Sequence, residues 1–288
     1  MRTLLTLTLA LGVSSCTSSN HASDTVAPEP AAEATYEVVL TSEVEFDQLN
    51  PARGDRSPMA GDLRGDRKST GATGYLLKTV EDFRSPPHVH NVRYRAVVIS
   101  GLWHNDDPNA ADMWMPTGSF WTQPKGELHI TATKGGDTLG YIEIEEGPYL
   151  VYPSDEKFDD DERAVNVHES NLVWVDQPGM PASANGPKVA YLWGKPRDAE
   201  LNGTFVKLPD GFTGTMRANT STFGAVVIQG RPTHKADGEP EVKNLEPGSH
   251  VSSEGDAAHQ VSCEAGDDCI FYVRMEGKLD VIPAQAKK

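Results

Sequence analysis

The chain has 288 residues, enough for two domains of ordinary size or one large one, and its formal net charge is −16 at pH 7. That charge argues against nucleic acid, whose phosphates require a basic surface. The 26 Gly, the 20 Pro and short bursts of Val, Ile, Tyr and Phe such as "AVVIS" and "YIEIEE" exclude a helical bundle and point to an all-β protein.

In residues 1–15, Arg2 precedes the apolar run "LLTLTLALGV", and small residues then lead to Cys16 in "VSSC". This reads as a bacterial lipoprotein signal with cleavage before Cys16 and a lipid on its sulfur. The alternative is a plain secretory signal whose cysteine is incidental, and both readings export the chain. The neutral Thr17 resembles the outer-membrane sorting pattern. The expected location is therefore the cell envelope, facing the periplasm, with membrane contact through the lipid alone. Later stretches fall short of the roughly 18 consecutive apolar residues that a span requires. Residues 16–35 are polar and rich in Pro and Ala, as in a disordered tether, and order is expected from Tyr36.

The body contains an internal repeat at an offset of about 129 residues. "GYLLKTVEDF" at 74–83 matches "GTFVKLPDGF" at 203–212, and "AVVISG" at 96–101 matches "AVVIQG" at 225–230. One residue further out of register, "TGSF" at 117–120 matches "PGSH" at 247–250, and His129 falls on His259. Each unit has the size and texture of a small β-barrel or jelly roll, the first over 36–160 and the second over 161–288.

The first unit carries "PPHVHNVRYRAVVISG". Alternate side chains of a strand share a face, so His88, His90, Tyr94, Ala96 and Val98 point one way, while Arg93 and Arg95 point the other. "PKGELHITA" then brings His129 out of a Pro-Gly turn. Three neutral imidazoles suit iron, zinc, copper, nickel or manganese and leave coordination positions open. Trp103, Trp114, Phe120 and Trp121 are candidates for an apolar pocket mouth or for core packing, and His104 for proton transfer. The acidic run "SDEKFDDDER" at 154–163 reads as a solvated connector, without the alternating spacing of a calcium loop.

In the second unit the repeat places Arg217 at the position of His88, Asn219 at that of His90 and Phe223 at that of Tyr94, keeping only His259. One imidazole beside a cation does not hold a metal, so this unit is expected to be structural or to bind an anion through Arg217. His250 is expected in an exposed turn. Cys263 and Cys269 flank a Gly-Asp-Asp turn, and an exported chain favours a disulfide between them over a zinc pair.

The histidine segments resemble the two signature motifs of the cupin superfamily: His-x-His with a following Glu and a closing Gly, then Pro-x-Gly-x-x-His. The match is at His88, His90, Gly101, Pro124, Gly126 and His129, with Tyr94 where the family usually has its Glu. Residues 36–285 as a whole resemble a bacterial tandem-cupin family gathered as a domain of unknown function. The resemblance implies two jelly-roll barrels of the double-stranded β-helix type, a bicupin. It also implies one divalent transition metal on His88, His90 and His129 alone, as in three-histidine cupin dioxygenases such as the acetylacetone-cleaving enzyme, with Fe(II) favoured over Zn, Mn, Ni or Cu. Tyr94 would then donate a hydrogen bond to a bound ligand, ligate through its phenolate, or fill the barrel.

Two functions follow as expectations: a metal-dependent dioxygenase acting on a small oxygen-chelating substrate, and an envelope lipoprotein that binds or senses a small ligand without catalysis. Cupins often pair through their sheets, so a homodimer is a further expectation.

Overall fold

A computed structural model describes residues 34–178, 183, 185–196 and 200–284. The signal segment, Cys16 and the tether as far as residue 33 lie outside the described residues. Among those described, no helix is long and apolar enough to cross a membrane.

The protein is all-β, and its main strands fall into two large antiparallel sheets. In the first, the order is Val165–Val167, Phe120–Gln123, Tyr94–Asp106, Ile130–Ile144, Thr73–Lys78, Met59–Arg64 and Asp47–Gln48. A separate ribbon, His88–His90 paired with Val151–Pro153, belongs with it. The second sheet is centred on Thr213–Gln229, flanked by His250–Cys263 and Cys269–Glu276.

The repeated strands owe their unbroken apolar runs to burial on both faces. Ala96 and Val98 point into the first barrel with Tyr75, Leu77, Trp103 and Trp121. Their neighbours Val97 and Ile99 point out of it, into a core shared between the barrels with Phe120, Phe205 and Tyr272. The second unit repeats the division: Ala225 and Val227 face inward, Val226 and Ile228 face the shared core. A strand with two buried faces has no polar positions to alternate, which is why "AVVI" stands in both copies.

Two segments cross the divide expected at residue 160. Thr35–Val39 pairs with His250–Cys263 of the second sheet, and Val165–Val167 pairs with Phe120–Gln123 of the first. The barrels also share a buried carboxylate. Glu143 accepts hydrogen bonds from the Tyr272 hydroxyl at 2.6 Å and the Tyr141 hydroxyl at 3.3 Å, and Arg95 and Arg274 meet next to it on Glu145. Burial raises the Glu143 pKa, the arginines and Tyr272 opposing the shift.

Cys263 and Cys269 are joined as a disulfide whose sulfurs sit in the second barrel's core. Both sulfurs are consumed by that bond, so the zinc alternative falls away.

Candidate metal centre

The Pro86-Pro87 pair feeds the short His88–His90 strand, and a reciprocal pair of backbone hydrogen bonds joins His88 to His129, at 3.0 and 3.1 Å. His129 is delivered by the turn at Gly126, which has φ +72° and donates its N–H to the His90 carbonyl at 2.9 Å. A side chain there would be strained, and its Cβ would lie 2.7 Å from the Phe158 ring. The three imidazoles thus converge, one potential ligand atom of each lying within 4.8 Å of the others.

Backbone carbonyls set the tautomer of each ring. Nδ1 of His88 donates to the Pro86 carbonyl at 2.9 Å, that of His90 to Leu150 at 3.1 Å, and that of His129 to Glu127 at 3.2 Å. A carbonyl only accepts, so the proton sits on Nδ1 and Nε2 carries the lone pair, the arrangement that metal-ligating histidines require. Burial pushes the pKa of His90 and of His129 well below the usual imidazole range, helped by the neighbouring rings. Burial also lowers that of His88, to which the nearby charge of Arg53 contributes. All three rings are therefore neutral at pH 7. A neutral set of three converging imidazoles fits a divalent transition ion.

Two tyrosines flank the rings. Tyr149 stacks on His90, with ring centroids 4.5 Å apart, and its hydroxyl donates to His90 Nε2 at 3.1 Å. Tyr94 is committed differently: its hydroxyl donates to Asn105 Oδ1 at 3.0 Å and lies 3.5 Å from His129 Nε2. Thr131 donates to the same Asn105 oxygen at 2.8 Å, and Asn105 in turn donates to Gln123 Oε1 at 2.8 Å. The network fixes Tyr94 beneath the rings, and burial raises its pKa, so the phenol stays protonated. Tyr94 does not line the cavity above the imidazoles, whereas Tyr149 does.

That cavity, of about 440 Å³, opens beside His88 and His90. Its walls come from residues that the motifs did not indicate, Leu49, Arg53 and Phe83 among them. The aromatic residues expected at the mouth are elsewhere. Trp103 and Trp121 pack inside the barrel, 5.9 Å apart, and Phe120 is in the shared core. Trp114 lies 5.8 Å from the His104 ring and under the Lys134 ammonium. His104 has the opposite parity to Trp103 and Asn105, so it points away from the imidazoles toward Trp114. Arg93 and Arg95 also face away, pairing with Glu162 and Glu145.

The second barrel corrects two expectations. Arg217 does not reach its interior: the guanidinium is half exposed and binds Asp256 at 2.7 and 3.0 Å. The inward residues are Met216, paired with His259 as His88 is with His129, and Ala218, both fully buried. From His90 to Tyr94 is four steps, but from Ala218 to Phe223 is five, and the ladder shifts register between Thr220 and Phe223. The extra residue turns every side chain upstream of it to the opposite face. The side chain of Asn219 lies outside the described residues. His250, in turn, is no exposed turn residue: it is 1 % exposed and opens a strand, paired with Val39 and Val226.

His259 is retained but fully occupied. Its Nδ1 is 2.9 Å from His234 Nε2 and its Nε2 is 3.0 Å from Ser253 Oγ. Among the described residues, His88, His90 and His129 form the one group of three metal-ligating side chains.

Residues 37–282 match the family model described as Domain of unknown function (DUF4437). The chain belongs to that family. Solved structures similar to this DUF4437 chain include a Nostoc punctiforme protein, with TM-score 0.61, 12% identity, and 88% of this chain and 87% of that one covered. A salicylate 1,2-dioxygenase from Pseudaminobacter salicylatoxidans gives TM-score 0.56 at 14% identity, covering 90% and 91%. An oxalate decarboxylase from Lactobacillus farciminis gives 0.55 at 12%, covering 85% and 88%. At such identities the likeness shows the fold, a bicupin, and nothing of the chemistry. No curated protein sequence matches the chain significantly.

Proposed function

We propose that the DUF4437 chain is a metal-dependent oxygenase of the dioxygenase class, with His88, His90 and His129 holding one divalent ion, Fe(II) in the active form. The observation that carries this reading is the convergence of the three imidazoles, one potential ligand atom of each within 4.8 Å of the others, while each Nδ1 is tied to a backbone carbonyl. When bound, the ion would supply Lewis acidity and one-electron chemistry toward dioxygen.

The chain's own residues would do the rest. The cavity admits a small substrate from the His88 side. Tyr149, whose hydroxyl already reaches His90 Nε2, takes the substrate-orienting role that the sequence suggested for Tyr94. Tyr94, with Asn105 and Gln123, holds His129 in place and acts as a positioning residue.

We also propose export and lipid attachment at Cys16, at the periplasmic face of the outer membrane, on the strength of the N-terminal pattern.

The test is metal analysis of the full chain purified without a chelating tag, followed by oxygen uptake with small oxygen-chelating substrates. About one iron per chain, lost in His90→Ala, with substrate-dependent uptake, supports the proposal. A chain that binds metal or ligand but consumes no oxygen would be a binding or sensing protein. A wild type that refuses Fe(II), Mn(II) and Zn(II) would end the metal reading.

A further inference from the structure

Arg53 is the one charged side chain that lines the cavity above the imidazoles, which no Asp or Glu lines. Its only close partner among the described residues is the Phe83 ring, 5.0 Å away. The chain holds 42 acidic against 26 basic residues. Three better-covered arginines are paired with carboxylates, Arg67 with Asp47 and Asp62, Arg95 and Arg274 with Glu145, whereas half-buried Arg64 has only the Ala72 carbonyl, at 3.4 Å. Leaving a half-buried guanidinium without a carboxylate gives up a favourable charge pair, in a protein rich in candidate partners.

The turn beneath Arg53 is built rather than loose. Asn50 caps it by accepting the Ala52 N–H at 3.2 Å, and the Arg53 N–H donates to the Asn50 carbonyl at 3.0 Å. Ser57 Oγ accepts from Asn50 N at 2.9 Å, and Gln48 Nε2 donates to the Gly54 carbonyl at 3.1 Å. Gly54 itself adopts φ 54° and ψ −135°, a conformation that side-chain-bearing residues avoid. The turn aims a fork-shaped cation at an otherwise uncharged cavity.

We infer that the cavity takes a small organic acid, its carboxylate paired with Arg53 and its apolar body against Leu49, Leu77 and Phe83. A guanidinium matches a carboxylate bidentately, and the apolar walls favour a hydrocarbon or aromatic body over a sugar or a phosphate ester. The inference deepens the proposed function by naming a substrate class, and rests on it only for where the acid's far end points.

The experiment titrates benzoate, hexanoate and the matching neutral amides into the full chain by calorimetry, metal-free and Mn(II)-loaded. At least one acid is expected to bind at least tenfold more tightly than its amide. Arg53→Gln should cost that acid about tenfold or more, with Arg53→Lys recovering part of the loss. Metal stoichiometry and Tm should be unchanged in both, and the neighbouring exposed Arg56→Gln should behave as wild type. Acid and amide binding equally, Arg53→Gln binding acid as wild type does, or no acid binding at all, each overturns the inference. The metal reading fails separately: His90→Ala should lose the ion yet keep binding the acid in the metal-free state, so a lost carboxylate site and a lost metal site are told apart.

Discussion

His129 and His259 occupy matching places in the two barrels, and they spend their nitrogens differently. His129 gives Nδ1 to a backbone carbonyl and keeps Nε2 facing His88 and His90. His259 gives one nitrogen to His234 and the other to Ser253, and it belongs to no group of three potential ligands among the described residues. The companion positions differ as well, with Met216 and Ala218 inside the second barrel where the first has His88 and His90. A barrel interior can thus keep a histidine after its companions are gone, provided that other polar groups satisfy it. The retained residue is then a neutral plug in the core.

The largest expected effect concerns the buried histidines of the second sheet, His234, His250 and His259. Burial lowers the pKa of His234 to about 4, and those of His250 and His259 to about 3. The unfolded chain, with ordinary imidazoles near 6.5, takes up protons first as the solution is acidified. Stability carried by these rings is complete above about pH 6.5 and is lost as pH falls toward the folded values. At pH 5 the loss is about 2 kcal/mol per ring, about 6 kcal/mol for the three together. Glu143, whose pKa is raised, runs the other way and offsets part of it. Urea unfolding of the metal-free chain at pH 7 and pH 5 measures this, and an equal midpoint at the two pH values would contradict the neutral plug.

Next, His90→Ala should lower metal affinity by about a hundredfold or more, since it removes a ligand outright, while His259→Ala leaves metal content untouched. Elemental analysis of the two variants side by side breaks the comparison if His259→Ala also loses metal. His259→Ala should instead destabilise the fold by about 1–3 kcal/mol, because His234 and Ser253 lose a buried partner. Thermal or chemical unfolding reads that cost. The smallest effect is expected of Tyr94→Phe: about a tenfold loss of metal affinity through the mispositioned His129, with the fold retained. A tenfold change in Tyr149→Phe but none in Tyr94→Phe would assign the supporting role to Tyr149 alone.

Much of the fold was legible because its signals are local or repeated. The two copies of "AVVI" report strands buried on both faces, and the two-residue spacing of His88 and His90 places both imidazoles on one face. The second barrel was read on the wrong face for an equally local reason. A bulge adds one residue without any mark in composition, and a period of two converts that single step into inversion, so Arg217 was expected where Met216 and Ala218 are.

The sequence by itself determined the repeat, the β architecture and the three histidines, since each depends on short spacings that strand geometry translates directly into position. Tertiary structure alone decided what surrounds those histidines. Tyr149 meets His90 across 59 residues of chain, Gln123 meets Asn105 across 18, and Arg53 reaches the cavity from a turn outside the motifs. Such partners share no period with the residues they serve. They are brought together only when the sheet closes and long-range pairing fixes which ends meet, and that closure also separates three converging imidazoles in one barrel from a histidine tied to His234 and Ser253 in the other.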